Sequence, residues 1–267
     1  MGGMGSPIVG GIFSLIVSRF GIGGGLVALL AFGAWQYFGG RMSGGEQVAE
    51  QGAVTAGETG DERVQFAAFV LDDVQKTWAQ KLPKYQRAKL VIFNGSTSTG
   101  CGYGERAVGP FYCPTDGNVY LDLDFFKTLE TRLGASGDFA QAYVIAHEIG
   151  HHVQNQLGIS DKVHQAPVRA RGGAGGLSVK LELQADCFAG IWAHGSGQRD
   201  LLEGGDLEEA MTAAASIGDD RLQKMQTGTV QPESWTHGSS AQRVSWFKKG
   251  FASGNPEDCN TFETAGR

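Results

Sequence analysis

The motif HEIGH at residues 147–151 constrains the fold more than any other feature of this chain. It lies in a run whose apolar residues recur with helical spacing, and residues four apart on a helix face the same way. The imidazoles of His147 and His151 can therefore reach one ion, while the carboxylate of Glu148 points to the side of it. The motif predicts a metal centre built on a helix.

The ends of this helix are also predicted. Asp138 is the expected N-cap, with Gln141 three residues later in a capping-box pattern. Gly158 stands where a glycine commonly ends a helix. His152 cannot share the face of the two motif histidines, so we expect it in a supporting or surface position. A helix with solvated histidines and no metal is the competing interpretation.

A third ligand is expected downstream, because catalytic zinc usually has three protein ligands and an open fourth position. Glu182 and Asp186 lie four residues apart on a predicted helix, Ser178–Ala193, that is otherwise mostly apolar. Acidic residues are rarely buried without a partner. We therefore predict that Glu182 binds the metal and that Asp186 accepts the free ring N–H of a ligand histidine. The alternative is that both acids face water.

These residues predict hydrolysis of an amide bond. One zinc ion per chain would lower the pKa of a bound water and polarise a substrate carbonyl. Glu148 would accept the proton of that water and pass it to the leaving amine. His237, in the segment THGSSAQR, is the candidate donor to the developing oxyanion, with Arg243 as a weaker alternative. The spacing leaves a purely structural His237 equally open.

The rest of the pattern predicts an α+β domain, mainly helical with a small antiparallel or mixed sheet. An exposed edge at Asn118–Asp122, ahead of the metal helix, would allow an extended peptide to pair with the sheet, and an internal strand is the alternative. The further predicted elements are helices Asp61–Leu82, Phe125–Leu133, Leu207–Met225 and Ser240–Phe251, and strands Lys89–Phe93, Val108–Tyr112 and Asn118–Leu123.

Four cysteines allow two disulfides. Cys101 and Cys113 flank a short loop-like run and can bridge it, which would leave Cys187 to pair with Cys259. Buried free thiols are the alternative. Disulfides are favoured because the N-terminal segment indicates an oxidising compartment.

Residues 1–40 predict a membrane anchor. Residues 22–38 are apolar apart from one glutamine. This is slightly short of the roughly 20 residues that a span needs, and flanking arginines can extend it by snorkelling. A signal peptide and a buried helix are the alternatives, although no clean cleavage site follows. The Gly-rich composition of residues 41–60 predicts a flexible linker. Residues 61–267 are then expected to form the folded domain.

Four stretches far apart in the chain together resemble the bacterial family of neutral zinc metallopeptidases. They are GCGYGERAVGPFYCPTDGNVYLDLDFF (100–126), AHEIGHHVQNQLG (146–158), LELQADCFAGIWA (181–193) and THGSSAQRVSWFKKG (236–250). The resemblance implies a membrane-tethered, zincin-like domain with His147, His151 and Glu182 as zinc ligands, Glu148 catalytic and Asp186 behind the ligands. THGSSAQR is also similar to a segment that stabilises the transition state in related membrane zinc proteases, which supports His237.

The predicted function is a zinc peptidase anchored in the bacterial cell membrane, with its domain on the extracytoplasmic or periplasmic side. Its expected partners are the membrane and a protein or peptide substrate. The formal net charge of −6 argues against a nucleic-acid partner. Two alternatives stay open: a zinc-binding scaffold without proteolytic activity, and a zinc amidase acting on cell-wall peptides. An intact Glu148 argues against the scaffold, which has no need of a general base.

Overall fold

The computed structural model describes residues 61–105 and 109–262. The predicted anchor at residues 1–40 and the predicted linker at residues 41–60 lie outside the described residues. Within the described part, none of the helices combines the length and the apolar character that a membrane span requires. The proposed domain boundary near residue 61 therefore stays a prediction.

Helices dominate the described residues and the sheets are small, which confirms the predicted α+β class. In chain order the elements are α1 (Glu62–Lys81), β1 (Lys89–Phe93), β2 (Ser96–Thr99), β3 (Gly102–Glu105), β4 (Phe111–Cys113), β5 (Asn118–Asp122), α2 (Asp124–Thr131), α3 (Asp138–Gln156), α4 (Ile159–Gln165), α5 (Val168–Arg171), α6 (Leu177–Gln198), α7 (Asp206–Ser216), α8 (Asp219–Thr227) and α9 (Ser240–Ser253). Short 3-10 turns lie at Pro232–Ser234 and Pro256–Cys259.

The main sheet is mixed, with strand order β1-β5-β4. β1 runs parallel to β5 and β4 antiparallel to it, so β5 is paired on both sides. The predicted exposed edge at Asn118–Asp122 is therefore wrong, and the internal strand is confirmed. β2 and β3 form a separate hairpin. This hairpin is not predicted from the sequence, because its residues, STST and GYGE, lack the apolar alternation of a strand.

Both expected disulfides are present. Cys101 bonds to Cys113 and so ties the end of the β2–β3 hairpin to β4. Cys187 on α6 bonds to Cys259 in the last 3-10 turn. The alternative of buried free thiols is excluded, and the pairing predicted from the sequence is confirmed.

Helix α3 lies in the main core, with α1, α6 and α7 packed around it. Its predicted N-cap is wrong: Gly137 holds the cap position with φ 102°, and Asp138 is the first helical residue. An acid from α7 caps the N-terminus of α3 instead, since the carboxylate of Glu209 accepts the backbone N–H of Phe139 at 3.1 Å. The end of α3 is as predicted, with Gly158 in the left-handed conformation (φ 67°).

The helix predicted at Leu207–Met225 is two helices, α7 and α8, separated around Gly218. A Cβ at Gly218 would overlap the backbone of Ser240, the first residue of α9. This close approach lets the chain turn beside α9 and begin a new helix at Asp219. The long connection after α3, predicted as a loop, contains the short helices α4 and α5.

Helices α6 and α9 cross with their backbones in direct contact. A Cβ at Gly190 on α6 would overlap the carbonyl oxygen of Phe247, and one at Gly250 on α9 would overlap that of Cys187. Glycine is required at both positions because any larger residue would push the helices apart. The crossing brings Arg243, on the first turn of α9, against α6 and behind the metal helix.

Candidate metal centre

The glycine of the HEIGH motif allows α3 and α6 to cross closely. A Cβ at Gly150 would lie 3.0 Å from both the Cα and the carbonyl oxygen of Ala185 on α6. Ala185 lies less than one helical turn beyond Glu182. The crossing therefore carries the carboxylate of Glu182 towards the two histidines of α3.

The side chains of His147, His151 and Glu182 converge. The two Nε2 atoms are 3.2 Å apart. The Glu182 carboxylate lies 3.2 Å from Nε2 of His147 and 3.5 Å from Nε2 of His151. One donor atom from each residue lies within 4.8 Å of the others. Two imidazole nitrogens and one carboxylate oxygen are the donor set of a catalytic zinc site.

The other ring nitrogens show that this convergence suits a cation. Nδ1 of His147 lies 2.9 Å from a carboxylate oxygen of Asp186, and Nδ1 of His151 lies 2.9 Å from the side-chain oxygen of Gln154. In the neutral rings these acceptors place the proton on Nδ1, so each Nε2 presents a lone pair. Two lone pairs and a carboxylate directed at one point repel each other unless a metal ion or a proton lies between them. Burial opposes a charge on His147, but Asp186 and Glu182 outweigh burial and raise the pKa of His147 to about 9, so these groups attract positive charge. The three residues fit a zinc ion.

A buried hydrogen-bond network supports His147 from behind. Asp186, fully buried on α6, accepts hydrogen bonds from the hydroxyl of Tyr143 (2.5 Å) and from Arg243, whose Nε and Nη2 lie 2.9 and 2.8 Å from its two oxygens. Burial opposes ionisation of Asp186, but the charges of Arg243 and His147 lower its pKa below the usual range. Asp186 therefore remains a carboxylate that orients the His147 ring.

Arg243 does not face the space beside the metal ligands. Its side chain is fully buried and is directed at Asp186. The alternative interpretation of Arg243 as an oxyanion donor is therefore wrong. The sequence pattern is ambiguous here because a buried arginine and a substrate-facing arginine look alike without the position of their partner.

Glu148 is buried, with only 8% of its surface exposed. Its carboxylate accepts the backbone N–H of Tyr112 on β4 at 2.8 Å. Burial raises the pKa of Glu148 although the nearby charges of His151 and His147 oppose the rise. Glu182 behaves oppositely: burial opposes its ionisation, but the charges of His151 and His237 hold its pKa well below the usual range. A raised pKa suits Glu148 to proton transfer, and a lowered pKa suits Glu182 to the role of a permanently ionised ligand.

The segment that carries His237 lies against α6, since a Cβ at Gly238 would lie 3.0 Å from the side chain of Val179 and 3.4 Å from that of Leu183, which follows Glu182. The charges of His237 and Glu182 each shift the pKa of the other group. Nδ1 of His237 lies 3.0 Å from the hydroxyl of Thr236 and 3.3 Å from the carboxylate of Asp219. Burial lowers the pKa of His237, but Glu182 and Asp219 outweigh burial and raise it. Asp219 is not predicted from the sequence, because it lies outside the segment THGSSAQR and belongs to no motif.

His152 occupies a separate, buried position on α3. Its two ring nitrogens lie 2.6 Å from the carbonyl oxygen of Gln86 and 3.1 Å from the hydroxyl of Tyr112. It belongs to the packing between α3 and the strand region and contributes no donor atom to the metal centre. Of the two positions expected for His152, the structure therefore shows the supporting one and not the surface one.

Comparison with known proteins agrees with this geometry. The model of the family described as "Putative neutral zinc metallopeptidase" matches residues 1–262. The uncharacterized protein YpfJ of Escherichia coli is 50% identical over 248 residues, which cover 90% of this chain and 86% of YpfJ. The uncharacterized protein Rv2575 of Mycobacterium tuberculosis is 45% identical over 205 residues, 73% of this chain and 69% of that protein. No solved structure matches. The chain therefore belongs to the neutral zinc metallopeptidase family.

Proposed function

We propose that this protein hydrolyses peptide bonds in protein or peptide substrates, with zinc held by His147, His151 and Glu182 and with Glu148 as the general base. The observation that carries the proposal is the convergence of two histidine lone pairs and a carboxylate beside Glu148. The base is buried, its pKa is raised, and a backbone N–H of β4 holds it in place. A protein that only binds zinc needs no such group.

The positions of the residues support the following roles. A zinc ion held by His147, His151 and Glu182 would polarise the scissile carbonyl and lower the pKa of water. Glu148 accepts a proton from the attacking water and delivers it to the leaving amine. His237 donates a hydrogen bond to the oxyanion that develops on the carbonyl oxygen. Asp186 holds the ring of His147 in the tautomer that presents Nε2.

We also propose that residues 1–40 anchor the protein in the bacterial membrane with residues 61–267 on the extracytoplasmic side. Two features support this placement. The sequence of residues 22–38 is apolar, and both pairs of cysteines are joined in disulfides, which persist in oxidising compartments. Protease accessibility of the domain in spheroplasts tests the orientation: digestion from outside supports it, and protection contradicts it.

Metal content and proteolysis of the full chain test the catalytic proposal. Wild type is expected to carry about one zinc per chain and to cleave unfolded casein. Glu148→Gln should retain zinc and lose activity by at least about a hundredfold, since general-base catalysis contributes about 10²–10⁴-fold. Glu182→Ala should lose zinc. Glu130→Gln, at an exposed position on α2, is the matched control and should behave as wild type.

Three outcomes would contradict the proposal. Cleavage of cell-wall peptides but not of casein would indicate an amidase. Stoichiometric zinc without hydrolysis of either substrate would reduce the protein to a zinc-stabilised scaffold. Full activity of Glu148→Gln would remove Glu148 from the mechanism.

A further inference from the structure

Asp219 makes an unusual set of hydrogen bonds for a residue with no assigned role. It is the first residue of α8 and is fully buried. One of its carboxylate oxygens accepts the backbone N–H groups of three successive residues: Thr236 at 2.7 Å, His237 at 2.6 Å and Gly238 at 2.9 Å. Its own N–H donates to the carbonyl oxygen of Gly238 at 2.8 Å.

Three successive N–H groups reach one oxygen only if the backbone curls around it. Gly238, with φ 88°, supplies the conformation that closes this curve. Such a concave run of N–H groups binds anions, and here the anion is the carboxylate of Asp219. A buried carboxylate with several N–H donors is strongly held. The position of the segment that carries His237 therefore depends on Asp219.

The second oxygen of Asp219 acts on the ring of His237. It lies 3.3 Å from Nδ1, which is also 3.0 Å from the hydroxyl of Thr236. Nδ1 of His237 therefore already has its hydrogen-bond partners within the protein. Among the described residues, Nε2 of His237 has no hydrogen-bond partner, so it is the ring nitrogen left for a substrate atom.

We infer that Asp219 is the positioning residue of His237: one oxygen fixes its backbone, and the other fixes its ring so that Nε2 is presented to substrate. The inference deepens the proposed function and rests on it for the role of His237. Asp219 itself does not touch the reacting atoms. A structural role alone would require only the backbone contacts, whereas this arrangement also engages the imidazole.

The adjacent acid provides a matched control. Asp220 accepts hydrogen bonds from the backbone N–H and the hydroxyl of Ser240, both at 2.8 Å, and so holds the start of α9. Within the described residues its side chain makes no hydrogen bond with the segment at Thr236–Gly238. Asp219→Asn and Asp220→Asn each remove one negative charge at the same end of α8. A general effect of charge or of helix stability would therefore appear in both variants.

The kinetic test uses the full-length zinc protein and labelled casein. Loss of an oxyanion donor costs about 10²–10³-fold in kcat, which is the effect expected of His237→Ala. Asp219→Asn should lower kcat by about tenfold or more with KM changed less than about twofold, because the hydrogen bond from His237 to the oxyanion, which depends on this positioning, forms only in the transition state. The double variant should be no slower than His237→Ala. Zinc content should stay at the wild-type level in all of them.

A second readout does not depend on activity. Amide hydrogen exchange at Thr236, His237 and Gly238 should be slow in wild type and in Asp220→Asn, and at least about tenfold faster in Asp219→Asn. The imidazole ¹⁵N resonances of His237, assigned by their absence in His237→Ala, should shift in Asp219→Asn only.

The possible outcomes distinguish failure of the proposed peptidase function from failure of the inference about Asp219. If wild type cleaves no substrate, the proposed function fails, while hydrogen exchange and the imidazole resonances still decide the positioning of His237. If Asp219→Asn matches Asp220→Asn in kcat, exchange and ring resonances, the inference is overturned. If the double variant is much slower than His237→Ala, Asp219 acts independently of His237 and the inference is also overturned.

Discussion

At the scale of single residues, Asp186 shows how a buried charge is stabilised. Its two oxygens accept hydrogen bonds from the hydroxyl of Tyr143, the ring N–H of His147 and, in bidentate fashion, the guanidinium of Arg243. A buried carboxylate with one of these partners removed would be strongly destabilising, because its charge would be incompletely compensated. The network therefore stabilises the core and orients the ring of His147, the proposed metal ligand, at the same time.

We expect Asp186→Asn to weaken zinc binding by about 10- to 100-fold, the usual effect of replacing the partner of a ligand histidine. An asparagine that accepts from His147 must turn its NH₂ group towards the donors of Arg243. Competition with a zinc-chelating dye measures the affinity. Asp73→Asn is the control, since Asp73 is also a buried carboxylate bound to an arginine but lies in another part of the core. Equal zinc affinity in folded Asp186→Asn and in wild type would contradict the expectation.

The site shows which residues a sequence can reveal. His147, His151, Glu182 and Asp186 are predictable because helical spacing places each pair on one face, and the structure brings all four together. Metal binding by His147, His151 and Glu182 stays a prediction. Tyr112 is not predictable, because it acts through its backbone N–H and carries no side-chain signature.

At the scale of elements, glycines at helix crossings determine the architecture. Gly190 and Gly250 allow α6 and α9 to touch, and Gly150 allows α3 and α6 to approach. The helices themselves are predictable from apolar periodicity, but their mutual approach is not, since a glycine in a helix has no periodic signature. The break between α7 and α8 escapes prediction for the same reason: it depends on contact between Gly218 and α9.

We expect Gly190→Ala to lower the free energy of unfolding by about 1–3 kcal/mol, because the new methyl group overlaps the backbone of α9. Gly195→Ala in the same helix is the control. Its methyl group would meet Thr77 at an ordinary 3.8 Å, so helix propensity should raise the stability by up to about 1 kcal/mol. Chemical denaturation measures both. Equal stability of the two variants would show that the crossing relaxes without cost.

At the scale of the whole molecule, α1 is joined to α6 by a charged cluster remote from the metal centre. Asp73 on α1 accepts hydrogen bonds from the indole N–H of Trp192 (2.8 Å) and from the guanidinium of Arg199, with which it forms an ion pair. Burial opposes ionisation of Asp73, but these two partners outweigh it and lower the pKa of the carboxyl. The cluster is therefore stabilising only while Asp73 is ionised.

This cluster gives the stability a defined pH dependence. The folded-state pKa of Asp73 is lower than its unfolded value of about 3.9, so the contribution is fully present above that value and is lost as the pH falls through the folded pKa. Asp73→Asn should cost about 1–2 kcal/mol at pH 7, given that Arg199 is partly exposed. The difference from wild type should shrink below about pH 4. Urea denaturation at several pH values measures it, and a difference independent of pH would contradict the assignment.

The Cys187–Cys259 disulfide closes a covalent ring, with a sequence separation of 72, that contains Asp219, His237 and Arg243. In the chain-entropy picture a ring of this size stabilises the fold by about 4 kcal/mol. The ring also includes residues 224–234, which are exposed throughout. A proteolytic cut there would open the ring into two fragments that remain joined through the sulfur bridge. A nicked molecule would thus keep α6, with Glu182, covalently linked to the segment that carries His237.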